Sequence, residues 1–122
     1  MAMRKILVVD DERTISTYLQ RKLHKLGYTV YTAEDGERAL ELTFSHFPDI
    51  ILLDVKLPKL DGYEVCRRLK ADERTKSIPV LMLSAKAQQS EIQRGLDAGT
   101  DRYLCKPMGF PDILMHIQAF ER

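Results

Sequence analysis

Five polar residues of this sequence each follow a short apolar run, at the point where a strand is predicted to end. They are Asp10, Asp11, Asp54, Ser84 and Lys106. Because the carboxyl ends of parallel strands meet at one edge of a sheet, where α/β proteins bind their ligands, we expect these side chains to lie close together. Three neighbouring carboxylates repel one another and raise each other's pKa unless a cation lies among them. The sequence therefore predicts a charged site that contains a cation.

The residue types at this edge are those needed to transfer a phosphoryl group to a carboxylate. Carboxylate oxygens suit Mg²⁺, which binds one or two carboxylates, several waters and a phosphate oxygen. Lys106 can balance the charge of Asp54 or of a phosphoryl oxygen, and the hydroxyl of Ser84 can donate a hydrogen bond to the same oxygen. Asp54 follows the apolar run 50–53, so we expect a buried carboxylate nucleophile there. The predicted product is an acyl phosphate on Asp54.

Each of these residues also has a plainer interpretation. Asp10 and Asp11 would be no more than the cap and first turn of a helix, where acidic groups interact favourably with the helix dipole. Ser84 alone would be a loop hydroxyl, and Lys106, which precedes a proline, would belong to a surface turn. The acidic pair together with Asp54 favours the metal site over these readings.

The elements that position these residues alternate along the chain. Apolar or β-branched runs followed by segments of helical periodicity predict five strands and five helices. The strands are predicted at about residues 4–9, 28–33, 50–54, 79–85 and 102–107. The helices are predicted at 12–26, from Asp35 to about His46, at 62–71 behind the capping-box pair Asp61 and Glu64, around Ile92 and Leu96 up to Gly99, and in a last segment that carries Ile113, Leu114, Ile117 and Phe120. This order predicts a parallel sheet with helices on both faces.

The composition sets the class of protein. With 122 residues, 44% hydrophobic and 30% charged, the chain is expected to form one soluble domain without disulfides or a structural metal. A net charge of +1 gives no reason to expect nucleic acid or an anionic membrane as the main partner. No apolar run approaches the roughly 20 residues that a membrane-spanning helix needs. Two cysteines without a signal sequence predict reduced thiols in the cytosol.

Along its whole length, the sequence resembles the receiver domain of two-component response regulators. The resemblance rests on four motifs in order, each at a predicted strand end: VVDDE, LLDVKLPKLDG, LSA and YLCKP. Each motif alone is weak, and the four together are specific. The resemblance implies a flavodoxin-like (βα)5 fold with strand order 2-1-3-4-5. It also implies a single cytoplasmic receiver domain over residues 1–122, and we expect no output domain in this chain.

The resemblance further implies what the site does. Asp54 would accept a phosphoryl group from a sensor histidine kinase or a phosphotransfer protein. Mg²⁺ would be held by Asp10, Asp11, Asp54 and the main-chain carbonyl of Lys56. Ser84 would move to bond the phosphoryl group, and Tyr103 would rotate inward behind it. The lysine before Pro107 would be joined to it by a cis peptide.

The partners implied by the resemblance follow from this switch. The face formed by helix 4, strand 5 and helix 5 would change its surface, control a downstream protein or output domain, and support a homodimer. The domain would be a signalling module rather than a turnover enzyme, although it assists its own phosphorylation. Direct contact with nucleic acid or membrane is not expected.

Two other functions remain open from the residues. The first is an atypical receiver that acts as an unphosphorylated interaction domain, against which the intact acidic pair, Asp54, Ser84 and Lys106 argue. The second is a phosphatase with an aspartyl nucleophile, which generally needs a second nearby acid where this chain has Lys56. Lys56 and Lys86, each two residues after a site residue, are instead candidates for tuning the lifetime of the phosphoryl group.

Overall fold

Five strands alternate with five helices in the computed structural model, which describes residues 4–121. The strands are β1 (Lys5–Val9), β2 (Thr29–Ala33), β3 (Ile50–Leu53), β4 (Val80–Ser84) and β5 (Arg102–Cys105). The helices are α1 (Arg13–Lys25), α2 (Gly36–His46), α3 (Gly62–Ala71), α4 (Gln89–Asp97) and α5 (Phe110–Gln118). The predicted domain range of 1–122 includes residues 1–3 and 122, which lie outside the described residues.

All strand pairs are parallel, and the strand order is β2-β1-β3-β4-β5. This confirms the predicted flavodoxin-like arrangement. A parallel crossover places each helix on a face of the sheet, so the central strands are covered on both sides. This is why the run 50–53 is apolar at every position and buried throughout.

Successive residues of the central strands enter two separate hydrophobic clusters. On β3, Ile51 and Leu53 pack with α2 and α3, whereas Ile50 and Leu52 pack with α1 and α5. The alternation follows from the two-residue period of a strand. β2 lies at the edge of the sheet and is less buried, as its alternating sequence predicted. The two clusters therefore cover opposite faces of the sheet.

The helix ends follow local signals in the sequence. Asp35 caps α2, because its carboxylate accepts the backbone N–H of Arg38 at 2.8 Å. Gly27 and Gly99 follow α1 and α4 with φ of 96° and 100°, the left-handed conformation that favours glycine at a helix end. Both glycines lie where the sequence predicted a helix to stop.

Some local predictions are wrong in part. Only half of the capping box of α3 forms: Asp61 accepts the N–H of Glu64 at 2.9 Å, but the Glu64 carboxylate bonds to Nε of Arg68 at 2.9 Å and to Arg67 instead of the Asp61 backbone. α5 ends at Gln118, so Phe120 lies beyond the helix, although it packs against the same cluster. The fourth and fifth strands are one or two residues shorter than predicted at their ends.

Between residues 4 and 121, the structure has no helix with the length and apolar character needed to cross a bilayer.

Candidate functional site

The predicted site residues meet at the carboxyl edge of the sheet. Asp10 follows β1, Asp54 follows β3, Ser84 ends β4 and Lys106 follows β5. The sheet hydrogen bonds continue one residue past the strands: the N–H of Asp54 donates to the carbonyl of Val9 at 2.9 Å, and that of Lys106 donates to the carbonyl of Ser84 at 2.8 Å. The backbone ladder therefore fixes where each of these side chains begins.

A lysine lies between two buried carboxylates. Nζ of Lys106 is 2.7 Å from Oδ2 of Asp10 and 3.2 Å from Oδ2 of Asp54. Asp10 is 4% exposed and Asp54 is 7% exposed, so both charges are largely removed from water. The peptide between Lys106 and Pro107 is cis, as the resemblance implies.

Burial and charge act in opposite directions on these groups. Burial raises the pKa of Asp54, the neighbouring Asp10 adds to the increase, and Lys106 opposes it without cancelling it. Burial alone would lower the pKa of Lys106. The hydrogen bonds and charge interactions of Lys106 with Asp10 and Asp54 outweigh the effect of burial, and they hold its pKa above the ordinary value. The ionised Asp54 is therefore still under-compensated, which favours binding of a further cation.

Three carboxylates are placed to hold a metal ion. Oxygen atoms of Asp10, Asp11 and Asp54 all lie within 4.8 Å of one another. Hard oxygen ligands of this kind suit Mg²⁺, and the exposed Asp11 leaves room for the waters that Mg²⁺ retains. Glu12, the N-cap of α1, makes no side-chain cap bond, and we find no cap bond from Asp11 among the described residues. The plainer interpretation of Asp11 as a helix cap is therefore not supported.

A cleft of about 310 Å³ opens over these carboxylates. It is lined by Asp11, Glu12, Asp54, Lys56, Ser84, Ala85, Lys86 and Lys106. Ser84 is 1% exposed, and its hydroxyl oxygen accepts the N–H of Lys86 at 3.1 Å, a bond that does not use the hydroxyl hydrogen. Oδ1 of Asp54 accepts the N–H of Val55 at 2.7 Å, which orients the carboxylate.

Tyr103 lies outside the cleft and is joined to it through Lys86. Its hydroxyl donates to the carbonyl of Lys86 at 2.6 Å. Burial raises the pKa of Tyr103 to about 12, so the hydroxyl keeps its proton as a hydrogen-bond donor at neutral pH. A contact with the β4–α4 loop is thus present in this structure.

Two residues near the site were given no role there by the sequence reasoning. Glu12 lines the cleft, and its N–H donates to Oδ1 of Asp10 at 2.9 Å. Gly62 lies against the backbone of Asp54, because a Cβ at this position would be 2.2 Å from the Asp54 carbonyl oxygen. The sequence contained a signal for each of them: Glu12 is the third acid of the DDE run, and Gly62 is the glycine predicted at the start of α3.

Comparison with known proteins gives consistent similarities. The family model for the response regulator receiver domain matches residues 6–118. The alkaline phosphatase synthesis transcriptional regulatory protein PhoP of Bacillus subtilis is 45% identical over 119 residues, which are 98% of this chain and 49% of that protein. The chain spans about half the length of the curated relatives it matches.

Solved structures are similar over nearly the full length of both chains. The chemotaxis protein CheY4 of Vibrio cholerae has a TM-score of 0.90 at 32% identity and covers 98% of this chain and 99% of its own. The receiver domain of a sensor histidine kinase of Pseudomonas aeruginosa has a TM-score of 0.88 at 34% identity, with 98% of each chain covered. That structure is described with a magnesium ion coordinated in its active site cleft.

Proposed function

This chain belongs to the response regulator receiver domain family, and on that premise we propose that Asp54 accepts a phosphoryl group from the phosphohistidine of a sensor histidine kinase or phosphotransfer protein. The observation that carries the proposal is the position of Lys106, whose Nζ is 3.2 Å from Asp54 within a cluster of three carboxylates. A nucleophile, a cation and a metal-binding set of oxygens at one cleft are the parts that phosphoryl transfer requires.

Each residue has a defined part in this transfer. Asp10, Asp11, Asp54 and the main-chain carbonyl of Lys56 would hold Mg²⁺, which when bound neutralises charge on the transferred group. A carboxylate oxygen of Asp54 attacks phosphorus in line, and the bond from phosphorus to the donor nitrogen breaks. The ammonium of Lys106 contacts a phosphoryl oxygen, and the hydroxyl of Ser84 donates to another. The product is an aspartyl phosphate.

The new charge at Asp54 biases a two-state element. Ser84 moves towards the phosphoryl group, Tyr103 rotates inward behind it, and the face formed by α4, β5 and α5 changes its surface. We propose that this face controls a downstream protein or output domain in the cytoplasm and supports a phosphorylation-dependent homodimer. In this proposal the domain itself contacts neither nucleic acid nor membrane. The bond between Tyr103 and Lys86 supports this route out of the cleft.

Intact mass spectrometry tests the proposal directly. The protein is incubated with Mg²⁺ and acetyl phosphate, and we expect one labile phosphoryl adduct in the wild type and none in Asp54→Asn. An adduct of the same size in Asp54→Asn, or no adduct in the wild type, would contradict the assignment. Continuous turnover of a phosphomonoester would instead identify an aspartyl phosphatase.

We also propose that two lysines set how long the phosphoryl group remains. Lys56 and Lys86 line the cleft, and Nζ of Lys86 is held 3.2 Å from Oε2 of Glu91. Cations at these places favour the charged acyl phosphate and obstruct an attacking water. We expect Lys56→Ala and Lys86→Ala to shorten the decay time of the adduct severalfold, with Lys76→Ala, which loses only a surface ion pair with Glu73, as the control. Unchanged decay in both variants would reject this role.

A further inference from the structure

Helix α4 is only lightly attached to the rest of the domain. Of its residues Gln89–Asp97, only Gly95 is buried, and Leu96 is 48% exposed. The ring of Tyr103 occupies the space where Gly95 has no side chain, since a Cβ there would lie 2.6 Å from a ring carbon. Helices with few buried apolar contacts open at low free-energy cost. Individual polar contacts to α4 therefore have a large effect on its position.

One such contact comes from α3. Tyr63 is 3% exposed, and its hydroxyl donates to the main-chain carbonyl of Glu91, in the first turn of α4, at 3.0 Å. The guanidinium of Arg94, one turn further along α4, lies 4.2 Å from the centre of the Tyr63 ring. A hydrogen bond and a cation–π contact from the same side chain thus hold the N-terminal half of α4.

The same tyrosine is tied to the backbone of the site. Gly62, its neighbour, packs against the carbonyl of Asp54 and donates its N–H to the carbonyl of Val55 at 2.8 Å. The start of α3 is therefore fixed to the residues that carry the carboxylate. Tyr63 extends from this fixed point to the main-chain carbonyl of Glu91 in α4.

We propose that Tyr63 is a positioning residue that holds the first turn of α4 against α3, and that this hold determines how far phosphorylation of Asp54 changes the surface of α4. The second clause rests on the proposed function; the first does not. Lys86, in the β4–α4 loop, forms an ion pair with Glu91 of α4. Tyr63 binds the carbonyl of Glu91 and Tyr103 binds the carbonyl of Lys86, so this ion pair joins the two contacts.

The variant Tyr63→Phe removes the hydroxyl and leaves the buried ring. The carbonyl of Glu91 keeps the N–H of Gly95 as its helical partner, so no buried polar group is left unpaired and global stability is expected to change little. We measure amide hydrogen exchange of residues 89–97 by NMR in the absence of a phosphodonor. We expect exchange in Tyr63→Phe to be about fivefold faster than in the wild type, as the loss of one hydrogen bond implies. Exchange in α1 and α5 is expected to stay the same.

Tyr28→Phe is the matched control, because it removes a hydroxyl bond to Glu121 at a distance from α4. It is expected to leave exchange in α4 unchanged. Equal exchange of α4 in Tyr63→Phe and the wild type, or a uniform increase over all helices, would overturn the proposed hold.

The regulatory clause is tested by repeating the exchange measurement after treatment with Mg²⁺ and acetyl phosphate. At equal adduct levels by mass, we expect the change in α4 exchange on phosphorylation to be smaller in Tyr63→Phe than in the wild type. An identical change would overturn the regulatory role. If neither protein forms an adduct, the proposed function and the regulatory role of Tyr63 are both wrong. The comparison without phosphodonor still tests whether Tyr63 holds α4 in place.

Discussion

Lys106 lies between two carboxylates that are removed from water, 2.7 Å from Asp10 and 3.2 Å from Asp54. Burying a carboxylate is costly unless a positive charge compensates it. Lys106 supplies that charge in the structure, and a bound cation would add to it. At the scale of residues, the ammonium group that compensates the two buried carboxylates is therefore also the one to which the proposed function assigns a phosphoryl oxygen.

The first prediction concerns Lys106→Met. Without the ammonium, Asp10 and Asp54 remain buried with uncompensated charge, and we expect a loss of about 3 kcal/mol in the free energy of unfolding in metal-free buffer. Added Mg²⁺ should recover part of it, because it binds the folded carboxylate cluster. Urea unfolding followed by circular dichroism measures both effects. Lys76→Met, at an exposed ion pair, is the control, and a loss no larger than in this control would contradict the prediction.

The second prediction concerns the pH dependence of Asp54. Because burial raises the pKa of Asp54, the folded protein favours the neutral form of this acid. The neutral form contributes to the free energy of unfolding below the ordinary pKa of 3.8, and this contribution is lost as pH rises through the raised value. Asp54→Asn carries no such charge. In buffer with EDTA, we expect this variant to be more stable than the wild type at pH 7 and the two to converge near pH 3.

A carboxylate with the opposite shift provides the control for this measurement. Hydrogen bonds from Arg74 lower the pKa of Asp72, so its charged form stabilises the folded state above pH 3.8. Asp72→Asn should therefore be less stable than the wild type at pH 7. If Asp54→Asn behaved in the same way as Asp72→Asn, the explanation by burial would be wrong.

The start of α3 is the element with the closest packing at the site. Gly62 has its Cα so near the Asp54 backbone that a Cβ would meet the carbonyl oxygen at 2.2 Å and Cα of Val55 at 2.8 Å. Asp61 caps the helix immediately before it. The loop between β3 and α3 is thus held from both ends, which fixes Asp54 and, through Tyr63, the neighbouring helix.

The third prediction therefore concerns Gly62→Ala. The added methyl group forces either α3 or the Asp54 backbone to move, and overpacking of this kind costs about 1–3 kcal/mol. We expect lower stability and slower adduct formation with acetyl phosphate. Gly109→Ala is the matched control, since its Cβ would meet only Cδ of Pro111 at 3.7 Å. A Gly62→Ala protein as stable and as readily phosphorylated as this control would show that the contact is easily relieved.

Across the whole molecule, the two cysteines are buried to different extents. Cys66 is 0% exposed in the cluster under α2 and α3, whereas Cys105 at the end of β5 is partly exposed. Burial raises the pKa of Cys66 to about 11, so the reactive thiolate is scarce at neutral pH. Both effects protect Cys66 as long as the sheet and its helices stay packed.

The fourth prediction is that Cys66 reports global unfolding. With a thiol reagent at pH 7, one thiol per chain should react rapidly and the second only as the protein unfolds. Cys105→Ala should lose the rapid reaction, and Cys66→Ala the slow one.

As pH rises from the ordinary thiol pKa of about 9 towards 11, the protein should lose the part of its free energy of unfolding that it gains from a neutral Cys66. Rapid reaction of both thiols in the folded protein at pH 7 would contradict the expected protection of Cys66.

The sequence by itself determined the order of elements, the parallel sheet and the edge at which the site lies. This was accessible because strand and helix periods are local properties, and because parallel strands bring their carboxyl ends together whatever the details of packing. Asp54, Lys106 and the acidic pair could be named for that reason. The resemblance added roles that residue types alone do not assign, such as that of Tyr103.

The tertiary structure decided which side chains touch. Lys106 lies between Asp10 and Asp54 because of the strand order. This order brings Lys106 next to Asp10, from which it is separated by 96 positions in the chain, and next to Asp54, from which it is separated by 52. Glu64 bonds Arg68 and Arg67 rather than completing its capping box, because side-chain partners one turn away on the helix compete for it. The close approach of Gly62 to Asp54 and the reach of Tyr63 to Glu91 depend on how α3 and α4 pack against the sheet. No local pattern encodes that packing, since it is the joint result of contacts distant in the chain.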